Sequence, residues 1–145
     1  MIFKATEETL DDVVRLALKL WPNHTFEEFH QEFTDYINGA SSAVFAAQTD
    51  GVTIGFAHVA LRHDYVEGTS SSPVGYLEGI YIEENYRKQG YASQLVKACE
   101  KWSIEQGCTE FASDIEMDNK KSYAFHINNG FKEANRIICF SKKLT

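Results

Sequence analysis

Proline is nearly absent, cysteine is scarce, and no stretch of the chain stays apolar for long. Only Pro22 and Pro73 occur among 145 residues. No Pro- or Gly-rich linker and no repeat divides the chain, so a single domain, residues 1–145, is expected. The three cysteines, Cys99, Cys108 and Cys139, are odd in number, far apart and without C-x-x-C spacing. That is the usage of reduced thiols in a cytoplasm, not of a disulfide framework. No run approaches the roughly 20 apolar residues of a membrane span. The opening residues, Met1-Ile-Phe-Lys-Ala-Thr-Glu-Glu, soon turn acidic and do not read as a secretory signal. Positive charge is in deficit: 14 Lys and Arg stand against 21 Asp and Glu, a net −7. Such a surface repels nucleic acid and anionic membrane and attracts cations. His24, His30, His58, His63 and His126 show no H-E-x-x-H or other metal-ligand spacing, so no metal is expected.

What is present is enough for a core. Apolar residues make up 43% of the chain and aromatics 13%, and a chain of this size buries about 68–70% of its unfolded surface. Residues 2–6 read as a short strand. Thr9 is placed to cap a helix whose Leu10, Val13, Val14, Ala17, Leu18 and Leu20 recur at helical spacing. Trp21-Pro22 ends that helix, since a residue before proline avoids the α region. Thr25 and Glu28 form a capping box opening a second helix, which Asn38-Gly39 stops. Ala43–Gln48 and Val52–Leu61 read as strands joined by the hairpin signal Asp50-Gly51. A polar loop over 67–72 precedes a strand at Val74–Ile82. A helix is expected over Gly90–Gln106, a strand at Phe111–Ile115, a helix at Asn119–Asn129, and a last strand or pair of strands over Ala134–Leu144. Strand, long helix and strand in succession imply a parallel crossover beside antiparallel hairpins. The class is therefore α/β (α+β), with a mixed sheet and helices on both faces.

The segment Glu83-Glu-Asn-Tyr-Arg-Lys-Gln-Gly-Tyr-Ala92 is the most informative. A strand ends, the chain turns, and a long helix begins at a glycine. The first turn of a helix leaves backbone N–H groups without partners, and with the helix dipole they favour an anion. Gly90 keeps no side chain in the way, and Arg87 and Lys88 add positive charge. Neither G-x-x-x-x-G-K-[ST] nor G-x-G-x-x-G is present, which argues against a nucleotide triphosphatase or an ordinary dinucleotide fold.

Arg87-x-x-Gly90-x-Ala92 resembles the [Q/R]-x-x-G-x-[G/A] pattern of the GNAT acetyltransferase superfamily. Asn119-x-x-Ser122-x-x-x-His126-x-x-x-Gly130-Phe131 resembles the second half of that pattern, at the right distance downstream. Tyr76-Leu-Glu-Gly-Ile-Tyr81, Gly107-Cys-Thr-Glu-Phe-Ala-Ser-Asp114, Leu20-Trp21-Pro22 and Asp64-Tyr-Val-Glu-Gly68 narrow the resemblance to the aminoglycoside 6'-N-acetyltransferases. The resemblance implies the GNAT fold, a central and mostly antiparallel twisted sheet, and acetyl-CoA as co-substrate. By the same resemblance Lys88, Gln89, Gly90, Tyr91, Ala92 and Ser93 cradle the pyrophosphate, and Ile80, Tyr81 and Ile82 offer backbone bonds to the acetyl and pantetheine arm. Asn119 contacts coenzyme A or, on its own terms, caps a helix.

Glu78 and Asp114 are the implied carboxylates for a cationic amine, Glu78 also taking its proton. Read without the resemblance, Glu78 fits a solvent-facing strand position and Asp114 a turn or cap. Trp21 and Tyr65 resemble pocket walls, though Trp21 also suits core packing. Two departures stand out. His126 replaces the tyrosine that often serves as acid for the departing thiolate, with Tyr123 as a second candidate. Asn135 stands where similar enzymes carry an acidic residue near the substrate. The expected chemistry is direct attack by a primary amine, most simply the 6'-amine of an aminoglycoside, in a cytoplasmic homodimer. The alternatives left open are a polyamine or protein amine as acceptor, and a coenzyme A-binding sensor without transfer activity.

Overall fold

The protein is described over all 145 residues by a computed structural model. Strands β1 (Ile2–Lys4), β2 (Ser42–Thr49), β3 (Val52–Arg62), β4 (Val74–Ile82) and β5 (Phe111–Ser113) lie side by side in chain order. The first four pair antiparallel, and β5 runs parallel to β4 after the long crossover. Asp50 and Gly51 turn the β2–β3 hairpin with φ of 51° and 75°, the left-handed pair that a type I′ turn needs.

Successive strand residues face opposite sides, and each side has its own core. On one face α1 (Leu10–Leu20) and α2 (Phe26–Asn38) set Val13, Val14, Phe29 and Phe33 against Val44, Ala46 and Phe56. On the other, α3 (Tyr91–Glu105) sets Leu95, Val96, Cys99 and Trp102 against Ala57, Val59 and Leu77. Phe125 of α4 (Lys120–Asn128) and the following Phe131 extend that second layer. Each large side chain buried this way contributes roughly 1.5–3 kcal/mol. The mixed, mostly antiparallel sheet between helical layers is the expected architecture. No helix is long and apolar enough to cross a membrane.

Local detail departs from expectation in places. The Thr25 hydroxyl accepts from the Glu28 N–H at 3.1 Å, but the Glu28 carboxylate turns to His24 instead of closing the capping box. The Thr9 hydroxyl bonds back to the Thr6 backbone and does not cap α1. The larger correction is the tail. Ala134–Leu144 forms no strand, and residues 132–145 are irregular and exposed. A strand exists only through hydrogen bonds to a neighbour. This arm passes Glu67, where Asn135 Nδ2 donates to Glu67 Oε2 at 3.2 Å, and pairs with no strand of its own chain. Cys139, expected inside a strand, is consequently exposed.

One irregularity sets up the site. Val59 pairs with Leu77, and His58 pairs with Gly79. Glu78 is thus the extra residue of a β-bulge, a device that re-aims a side chain and sharpens local twist.

Candidate active site

Parallel pairing of β4 with β5 ends at Leu77 and Ser113. β4 runs on to Ile82, while the chain leaves the sheet after Ser113. The strands therefore fork, and the next residue on each arm is a carboxylate: Glu78 on the bulge and Asp114 opposite. Strand ends of this kind open onto ligand crevices.

Neither carboxylate is alone. Arg62 donates to both oxygens of Glu78, Nε at 3.0 Å and Nη2 at 2.7 Å. Its guanidinium lies 3.5 Å over the centre of the Tyr76 ring. The Tyr76 hydroxyl donates to Asp114. One chain of contacts, Glu78–Arg62–Tyr76–Asp114, thus joins the arms of the fork. The hydrogen bond to Glu78 holds the Arg62 guanidinium even more firmly charged than usual. Burial, then the bond to Asp114, pushes the Tyr76 phenol well up, so it stays a donor.

Trp21 supports this end from below. It packs edge-on to Phe29 and Phe56 and lies so close to β4 that a Cβ on Gly79 would stand 2.3 Å from its Cη2. Its place is in the core wall beside Gly79, which is the packing role. His58, across from Gly79, stacks on Tyr36 at 4.0 Å between ring centres. Its Nε2 has no hydrogen-bond partner, and burial pushes the imidazole down to about 4. The Tyr36 phenol is raised by burial and by nearby charges that include Glu78, which places it at the same face. Tyr65, by contrast, is 76% exposed on the loop after β3. Asn135 is spent on Glu67 and on the Arg136 N–H.

The turn into α3 suits an anion. Gly90 has φ of +87° and no side chain caps the helix, so the amides of Tyr91, Ala92 and Ser93 point out of an open first turn. A Cβ at Gly90 would meet nothing closer than Gln94 Nε2 at 3.8 Å. Lys88 is left-handed at φ 63°, and Gln89 reaches back to the Asn85 carbonyl. Arg87 behaves otherwise than its charge suggested. Its Nε donates to the Ile82 carbonyl at 2.8 Å and its guanidinium sits 5.3 Å from the Tyr81 ring centre, bracing the turn against β4. Ile80, Tyr81 and Ile82 lie on the part of β4 that β5 no longer covers. Asn119 Oδ1 accepts from the Ser122 N–H and caps α4. These groups fit a pyrophosphate followed by an extended acyl arm.

α4 brings His126 to the base of the fork. Its Nδ1 faces the Ser122 carbonyl at 2.7 Å and its Nε2 faces Ser113 Oγ at 2.9 Å. Phe131 packs against the ring. Tyr123, on the same helix, is 40% exposed and lies beside Arg136 instead. Sequence reading missed Arg62, Tyr76, Tyr36 and Ser113. Tyr76 and Ser113 lie inside the strings that carried the resemblance but were given no role; Arg62 has no local mark, because only strand pairing brings it across to Glu78.

The acetyltransferase (GNAT) family model matches residues 8–131. The chain is 39% identical over 145 residues to an aminoglycoside N(6')-acetyltransferase type 1 of Serratia marcescens, covering 99% of each. It superposes on AAC(6')-Iy, solved with the bisubstrate analogue CoA-S-monomethyl-acetylneamine, with a TM-score of 0.95 at 37% identity, covering 99% and 97% of the two chains. The apo AAC(6')-Ig of Acinetobacter haemolyticus matches with a TM-score of 0.93 at 36% identity over 100% and 99%.

Proposed function

Because this chain belongs to the GNAT acetyltransferase family, with curated relatives that are aminoglycoside N(6')-acetyltransferases, we propose that it acetylates the 6'-amine of aminoglycosides, using acetyl-CoA. The observation that carries this reading is the fork, with one carboxylate on each arm and an uncapped helix N-terminus on the same open end of the sheet.

The α3 amides from Tyr91 to Ser93 bind the pyrophosphate, with Lys88 and Gln89 at the rim. The backbone of Ile80–Ile82 aligns the acyl arm as a strand would, and Asn119 donates from Nδ2. Acetyl-CoA supplies an activated thioester carbonyl. Glu78 and Asp114 receive the substrate ammonium through charge-assisted hydrogen bonds. Arg62 already holds Glu78 as a carboxylate oriented at the fork, so the incoming ammonium competes with or joins the guanidinium there. Glu78 then accepts a proton, directly or through water, and the amine attacks. A β4 amide near Tyr81 stabilises the oxyanion, and holding both substrates in one cleft supplies much of the acceleration. Trp21 and Tyr65 offer aromatic surface to sugar rings, Asn135 a neutral hydrogen bond, and Tyr123 and His126 stand on the thiolate side.

Residues 1–145 act as one N-acetyltransferase domain in the cytoplasm. Its exposed arm, with Ile138 77% and Phe140 91% accessible, supports a homodimer in which a second copy covers it. The decisive experiment mixes the protein with acetyl-CoA and kanamycin and follows free thiol. Turnover is expected, and with an aminoglycoside bearing a 6'-hydroxyl no thiol release above that of acetyl-CoA alone. Glu78→Gln and Asp114→Asn should each lower kcat/KM by about 10²-fold. Equal thiol release with the 6'-hydroxyl compound would refute the regiochemistry.

A further inference from the structure

Ser113 has no part in the transfer reaction above, and it is paired with His126, which stands there on the thiolate side. A backbone carbonyl only accepts hydrogen bonds, so the 2.7 Å contact with the Ser122 carbonyl puts the proton of a neutral His126 on Nδ1. Nε2 is then the acceptor, and Ser113 Oγ, 2.9 Å away, donates to it. The other acceptor near that hydroxyl, the Leu77 carbonyl, is farther at 3.4 Å. A hydroxyl, a base within reach of it, and a third group fixing the base's tautomer are the three parts of an activated nucleophile.

The pair stands at the closed end of the fork, next to the β4 segment read above as holding the acyl arm. Ser113 is the last residue of β5 paired with β4, at the vertex of the fork. Asp114, the next residue, faces Tyr76 and Arg62, whereas Ser113 faces α4. The carboxylates thus serve one side of the sheet and the hydroxyl the other, the side of α3 and its anion-binding turn. Both side chains are half-buried, and Phe125 and Phe131 border the imidazole.

The geometry points to a second activity: amine-independent hydrolysis of the acetyl thioester through an acetyl-Ser113 intermediate. It rests on the reading that acetyl-CoA lies in the fork, but not on the identity of the amine. Ser113 Oγ attacks the acetyl carbonyl carbon and its proton passes to His126 Nε2. The C–S bond breaks, and the sulfur takes that proton and leaves as the thiol. A water molecule then attacks the ester carbonyl and gives a proton to Nε2. The ester C–O bond breaks, Ser113 recovers the proton, and acetic acid departs. The sum is acetyl-CoA plus water to coenzyme A plus acetic acid, with no other reactant.

The test incubates the full-length protein with acetyl-CoA and no amine. Thiol release and intact mass after acid quench are both followed, and coenzyme A affinity is measured by calorimetry. Wild type should release thiol above the buffer rate and carry one acetyl group, mapped to Ser113 by peptide digestion. Ser113→Ala and His126→Gln should each lose about tenfold or more of the hydrolysis while coenzyme A affinity stays within about twofold. Ser113→Cys, which restores a nucleophile, should hold the acetyl group as a thioester. Hydrolysis unchanged in Ser113→Ala with binding retained would overturn the proposal, because Ser113 would then only anchor α4. An unacetylated Ser113→Cys, or an acetyl group mapped elsewhere, would overturn it too. Absence of kanamycin acetylation by wild type bears on the acceptor alone and leaves this readout intact.

Discussion

At the scale of single residues, His58 is the least expected feature. It is 6% exposed in a strand whose neighbours are apolar, and its Nε2 is unpartnered. Burial lowers its titration from 6.5 to about 4, so the unfolded chain binds more protons between those values. Its contribution to stability is complete above pH 6.5 and drains away as pH falls toward 4, by about 3 kcal/mol in all. Urea unfolding at about pH 7 and about pH 4.5 should reveal that slope, and His58→Leu should flatten it. An unchanged slope in the variant would place the acid sensitivity elsewhere. Glu78 and Asp114 were legible as residue types worth attention. Their partners were not: Arg62 precedes Glu78 by sixteen positions, and only β3–β4 register lays its fork across both oxygens.

At the scale of elements, periodicity and turn chemistry located every α-helix and every strand of the sheet, with ends displaced by a few residues, but missed the short 3-10 turn at Glu84–Tyr86 and added a last strand that does not form. Ends move because caps are chosen by local geometry: Thr9 and Glu28 each had a nearer partner than the helix they were expected to cap. The turn into α3 was legible because Gly90 stands at a strand-to-helix junction and its neighbours match the family pattern. Its φ of +87° costs any L-residue about 1–2 kcal/mol, although space for a Cβ exists. Gly90→Ala should therefore weaken coenzyme A about tenfold by disordering the first-turn amides, and Gly90→Asn less, because asparagine tolerates the left-handed region. Calorimetric titration of coenzyme A checks both; unchanged affinity in Gly90→Ala would mean that the turn does not hold the pyrophosphate.

At the scale of the molecule, the arm after Phe131 carries the largest apolar exposure. Ile137, Ile138, Phe140 and Leu144 are 59–91% accessible, with no strand to receive them. A second copy that pairs with the arm would turn it into the strand expected over Ala134–Leu144. Sedimentation should find a dimer, and truncation after residue 131 should yield monomer; a monomeric full-length chain would remove the dimer. Composition, periodicity and turn chemistry were enough to determine the layered mixed sheet and the open glycine turn into α3, because each is written in residues close together in the chain. The bulge at Glu78, the Arg62–Tyr76 bridge between the carboxylates, the Ser113–His126 pair and the unpaired arm were decided only by tertiary structure. Each depends on strand register or on which partner lies across the sheet, and those contacts join residues whose separation along the chain carries no local signal.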